Sequence, residues 1–319
     1  HVVITGGQLT YSPFHLVIPD SIEGLPVTKI RAQAFKNRPF YSVTFPITME
    51  DIGYRAFYHD LVNSYGLITG FGLLTRVLLN PGLKYIGKDA FRGNRITSID
   101  IPDSVTLIGD SAFSYNRLTS ATISGSLTSI GVHAFSHNNL TGISIPDSVT
   151  TIAGYAFFNN ELSEPLILPD GVTSIGEFAF GSSGAGSNYW GRNRIPSVNF
   201  PDGLTIIHGS AFISNRLSEV SFPDSVIAIN DSAFAGNGLT TITLPRYLTE
   251  INNYAFKNNS IMQVTIPEGV TTIHAGAFES NALTELLIPE AVINIGSSAF
   301  RGNKLTSLNI PNSVERIGD

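Results

Sequence analysis

The stretch "AFRGNRITSIDIPDSVTLIGDS", residues 90–111, is one complete period of a repeat that runs through the chain. Its opening Ala-Phe pair recurs with Phe at 35, 57, 91, 113, 135, 157, 180, 212, 234, 256, 278 and 300. The spacings are 22, 34, 22, 22, 22, 23, 32, 22, 22, 22 and 22 residues. A fixed period in this range, with aliphatic residues at set places, is the signature of a solenoid built from stacked coils. Counting Ala90 as position 1, apolar residues return at positions 2, 7, 10, 12, 16 and 19. Positions 10 and 12 flank an outward residue, as in Ile99-Asp100-Ile101, which is strand periodicity. Proline follows at once in most copies (Pro102, Pro146, Pro245) and, lacking an N–H, ends the strand there. Asn80 and Ser124 are the exceptions.

Three further columns have structural readings. Position 19 is Ile in thirteen copies, from Ile30 to Ile317, which implies a stack of identical core sites. Position 20 is mostly Gly (53, 87, 109, 131, 176, 296, 318), otherwise chiefly Asn or His. These residues tolerate positive φ best, so a left-handed backbone is expected there, and His208 and His274 read as backbone choices rather than ligands. Position 5 is Asn in nine regular copies, with Asn193 resuming the column after an insertion. An inward Asn can bond the backbone of its own and the neighbouring coil.

These repeats, with "LTSLNIPNSVERIGD" and the opening "GLPVTKI", resemble the BspA-like leucine-rich repeats of bacterial and some protist surface proteins. The resemblance implies a curved, right-handed leucine-rich-repeat solenoid of about thirteen coils with a parallel β-sheet on its concave face. It also implies an exported or surface-anchored protein that attaches to host or matrix proteins. Residues 1–319 are expected to form one domain: a first coil at 1–34, repeats over 35–319, and insertions at about 59–72 and 181–192. The chain reads as a piece of a longer polypeptide, with export signal and anchor outside it.

Composition narrows the chemistry. Net charge is −6 and no basic block occurs, so nucleic acid is not an expected partner. No apolar run of 18 residues is present to span a membrane. The chain has no cysteine, and its seven histidines show no metal-ligand spacing. Aspartates after the proline fit turns, and acids at a single position per repeat would give a calcium ion few ligands. The glycine-rich Gly181–Gly186 run lacks the Lys-Ser/Thr of a phosphate loop, so no cofactor is expected. No catalytic constellation emerges, and the chain is read as a non-enzyme.

Function is therefore sought on the surface. Leu78 and Ile167 place aliphatics at the outward strand position 11, each in a coil beside an insertion. Tyr65 and Phe71 come from the first insertion, Tyr189, Trp190 and Arg192 from the second, with Arg194 following. Aromatic residues and Arg dominate interface hot spots, so these eight are the candidate binding residues. An extracellular protein ligand is the first expectation. A glycan stacked on Tyr189 and Trp190, or a purely structural spacer, are the alternatives.

Overall fold

The computed structural model describes residues 2–5, 15–61, 70–183 and 192–319. Strands, turns and bends account for the ordered backbone, and no helix occurs among the described residues. The contacts divide the chain into two compact units, the first built mainly on 1–149 and the second mainly on 162–188 and 192–319.

Within each unit every coil presents three sides. The first is the expected strand at positions 9–11. In unit 1, His15–Val17, Ser42–Thr44 and Arg76–Leu78 form one parallel sheet, and Ser98–Asp100 pairs with Ser120–Thr122. In unit 2, Leu166–Ile167 pairs with Val198–Asn199, and Glu219–Ser221, Thr241–Thr243 and Gln263–Thr265 form a second parallel sheet. The register follows the repeat, Val220 opposite Ile242 opposite Val264. Residues 142–144, 285–287 and 307–309 stand at the same repeat positions without strand geometry.

The second side is a parallel ladder that the sequence reading did not anticipate. It is made of two-residue strands ending on the isoleucine column. Asp51–Ile52, Tyr85–Ile86 and Leu107–Ile108 carry it in unit 1, in line with Leu25–Ile30. Thr151–Ile152, Ser174–Ile175, Ile206–Ile207 and Ala228–Ile229 carry it in unit 2, as do the four strands from Glu250–Ile251 to Arg316–Ile317. Most of these isoleucines are buried, Ile52 and Ile175 completely, whereas Ile317 on the last strand is 61% exposed. One antiparallel pairing, Ser21–Ile22 with Leu25–Ile30, forms a hairpin in the first coil.

The third side is the Ala-Phe turn, and its hydrogen bonding explains the backbone. Ser111, Phe113 and Tyr115 donate N–H bonds to Val132, Ala134 and Ser136 of the next coil, at 2.9–3.0 Å. Ala112 and Ser114 instead bond back to Gly109 and Ser111 of their own coil. Alternate N–H groups thus run between coils, and φ is positive at positions 22 and 4, as at Ser111 (58°) and Tyr115 (55°). The left-handed residues are these, not position 20, which corrects the expectation above. Apart from Gly131, where the nearest atom is an Asp110 carboxylate oxygen at 3.2 Å, position-20 glycines are needed for another reason. A Cβ on Gly109 would lie 2.3 Å from Lys88 N, and on Gly176 2.4 Å from Gly154 N. The adjoining coil's backbone occupies that space. His208 and His274 do not take positive φ; His274 Nε2 instead lies 2.9 Å from a Glu250 carboxylate oxygen.

The core is a set of columns. Phe35, Phe57, Phe91, Phe113, Phe135 and Phe157 stack with centroids 5.2–5.7 Å apart in unit 1. Phe180, Phe212, Phe234, Phe256, Phe278 and Phe300 do so at 5.5–6.2 Å in unit 2. Each offset pair adds about 0.5–1.5 kcal/mol beyond the apolar area it hides. The asparagine column beside them works as expected. Asn116 Nδ2 donates to Phe91 O at 2.9 Å and Phe113 O at 3.1 Å, while its Oδ1 accepts Ile96 N–H at 3.1 Å. Asn193 continues the scheme after the insertion, donating to Phe180 O and accepting from Leu162 N–H. The two coils without the strand-ending proline compensate with side-chain bonds: Asn80 Nδ2 to Ile47 O and Ser124 Oγ to Val105 O.

Candidate binding surface

Because the strand wall is buried at positions 10 and 12, its outward residues at 9 and 11 form a face. In unit 2 this face carries a continuous trough. One part is lined by Ser197, Glu219, Ser221 and Thr243, and the next by Thr241, Gln263, Glu285 and Leu287. Gln263 Nε2 donates to Glu285 Oε1 at 3.3 Å, fixing two of these side chains across neighbouring coils. The floor is polar, built of Ser, Thr, Gln and Glu side chains, but it is punctuated by exposed aliphatics. Ile167 is 69% and Leu287 73% exposed in unit 2. In unit 1 the same position exposes Val17 at 67% and Leu78 at 48%.

Leu78 and Ile167 are therefore outward and solvated, as their position requires. Val17 and Leu287 were overlooked as candidates although the same signal, an aliphatic at position 11, was present. Phe71 behaves differently. The Arg117 guanidinium lies 5.7 Å from its ring centroid, so this aromatic is engaged with the coil of its own unit. Arg192 and Arg194 are exposed and, with Ser214 and Arg216, line a pocket of ≈ 240 Å³ in unit 2. Tyr65, Tyr189 and Trp190 lie outside the described residues.

The polar chemistry elsewhere is structural. In unit 1 His137 is buried, stacked on Tyr115 with centroids 4.2 Å apart, with Phe158 edge-on to it. Burial, reinforced by nearby His133 and Arg92, lowers its pKa to about 4. Burial and Arg92 likewise depress His133, opposed by Asp110. Arg92 lies over the Tyr58 and Tyr115 rings, and both Arg55 and Arg92 pair with buried Asp89. Among the described residues, no three His, Asp or Glu side chains are grouped to hold a metal ion. No helix among the described residues is long and apolar enough to cross a membrane.

Stacked coils with parallel strands on two sides, phenylalanine and isoleucine columns and an asparagine ladder define a leucine-rich-repeat solenoid, a class of protein-interaction modules. The chain belongs to the BspA-type leucine rich repeat family, whose model matches residues 16–67, 69–185 and 205–319 in six copies. It is similar to a leucine rich cell surface protein of Faecalibacterium prausnitzii, with 25% identity and a TM-score of 0.51 over 95% of this chain and 87% of that one. A leucine-rich repeat protein of Bacteroides ovatus shares the fold at 18% identity and a TM-score of 0.53, over 96% of this chain and 92% of that one. A search of the curated proteins finds no match.

Proposed function

We propose that this chain is a non-catalytic protein-binding module, part of a protein displayed on a bacterial cell and used to attach it to host or matrix proteins. The observation that carries the reading is the outward strand face, a regular polar floor that holds exposed Ile167 and Leu287 in solvent. Scattered surface aliphatics are ordinary, but on a face of stacked strands they repeat at one structural position and share one direction. A partner protein that covers them gains apolar contact, and the Ser, Thr, Gln and Glu side chains around them supply a polar rim. The similarity to a leucine rich cell surface protein of Faecalibacterium prausnitzii supports exposure outside the cell. Tyr65, Tyr189 and Trp190 of the insertions at 59–72 and 181–192 are proposed as further partner contacts.

The test is binding to a panel of immobilised collagens, laminin and fibronectin. Ile167→Asp and Leu287→Asp should each weaken capture by about tenfold, the scale expected for a charge placed where an apolar contact forms. Both sites are solvent-exposed, so the melting temperature should not move. Undiminished binding by the double variant, or no binding by the parent chain, overturns the reading.

A further inference from the structure

Charge is sorted by repeat position, although the net value hides it. The segment between each Ala-Phe pair and the following strand holds eleven of the nineteen Lys and Arg but four of the twenty-five acids. It therefore carries +7, while the rest of the chain carries −13. In unit 2 this bias condenses at the pocket lined by Arg192, Arg194, Ser214 and Arg216. Arg192 and Arg194 come from one coil, Ser214 and Arg216 from the next at matching positions. The backbone between them is rigid, since Asn193 and Asn215 are buried and tied to Phe180 O. Arg194 N–H and Arg216 N–H are themselves bonded to Leu162 O and Ile195 O.

None of these three guanidiniums forms an ion pair among the described residues, whereas Lys29, Lys84, Arg246 and Lys257 each meet an acid. The corresponding positions of the next coils, Gly236, Gly238, Asn258 and Ser260, offer no carboxylate, and Glu161, at position 6 of the preceding coil, accepts from Asn139 Nδ2 at 2.8 Å. Three like charges around one small depression repel one another until an anion enters. A carboxylate offers two oxygens in one plane, whereas a sulfate ester presents three free oxygens in a tetrahedral arrangement, which suits acceptance from all three guanidiniums and the Ser214 hydroxyl.

We propose that this pocket is a binding site for the sulfate esters of an anionic polysaccharide. The site lies at repeat positions 4 and 6, separate from the strand face at positions 9–11. Among the described residues no aromatic side chain lines the pocket to stack on a base, which favours a polysaccharide over nucleic acid.

Heparin is the probe, with desulfated heparin, a single-stranded oligonucleotide and poly-glutamate as competitors, measured by calorimetry on the full chain. Heparin should bind with an affinity that falls as salt is raised. The triple variant Arg192→Ser, Arg194→Ser, Arg216→Ser should lose at least tenfold while keeping its melting temperature. Arg246→Ser, which removes a paired Arg elsewhere, should change nothing. The Arg→Lys triple variant keeps the charge but not the planar fork, and should lose several-fold. Equal heparin affinity in the Ser or Lys triple variant overturns the site. So does binding of desulfated heparin, oligonucleotide or poly-glutamate as tightly as heparin.

Discussion

At the scale of single residues, the columns show how one side chain is reused with different demands. Asparagine at position 5 satisfies two carbonyls and one N–H that a tight turn would otherwise bury without partners, each worth about 1–3 kcal/mol if orphaned. His137 occupies a neighbouring corner under harsher terms, stacked on Tyr115 beside Arg92 and His133, with Phe158 and Asn159 against it. It is neutral when folded, with its pKa held near 4 against 6.5 for a free imidazole. The unfolded chain thus binds the extra proton, so stability is full above pH 6.5 and falls as pH drops from there toward 4. The loss approaches about 3 kcal/mol for this group. His133 is depressed for related reasons and acts in the same direction. Denaturant titrations at pH 7.5 and 4.5 should show the drop, and His137→Phe should shrink it.

At the scale of the element, the two-residue strands and the Ala-Phe turn carry the clearest lesson. Gly109 is not left-handed, yet a Cβ there meets the Lys88 backbone at 2.3–2.7 Å. Gly109→Ala should therefore destabilise by about 2–4 kcal/mol, because backbone rather than a flexible side chain must move. Ser111→Gly, at φ 58°, should stay within about 1 kcal/mol of the parent, since glycine prefers that conformation but loosens the unfolded chain. Thermal melts of the two variants separate close approach from backbone handedness. The sequence pointed the other way, because Asn and His at position 20 carry a Cβ and suit a left-handed backbone better than a close approach. The true left-handed sites at positions 4 and 22 hold Gly93, Gly236, Gly276 and Gly302 beside Gln33, Arg55, Ser111, Tyr155 and Phe178, so the glycine signal is diluted by other residue types. They are imposed by bonding between coils, which lies many residues away in sequence. The strand at 9–11 and the phenylalanine and asparagine columns were legible because they recur every 22 residues in chemically narrow form. The second ladder was not, since two residues such as Leu107-Ile108 are too short to show alternation. Of the candidate surface, Leu78 and Ile167 were readable from periodicity, whereas the engagement of Phe71 by Arg117 is a contact between distant segments.

At the scale of the molecule, each unit is held by bonds that run from coil to coil: two parallel ladders, the alternating turn, and the Asn and Ser side chains that bridge adjacent carbonyls. Ser104, Ser148 and Ser225 repeat one such bridge at 2.6 Å, to Leu83, Leu127 and Leu204. Nearly all the cohesion therefore points along the direction of stacking, and each coil touches only its neighbours. A tether pulled at its ends does not shear many bonds at once, as it would in a sandwich of long strands. It peels one coil, then the next. Each event frees 22 residues, or roughly 75 Å of slack at full extension. Single-molecule stretching should record a train of such steps at similar force rather than one rupture. In the attachment role proposed above, the array would pay out line under load, limiting the tension that reaches the bound partner.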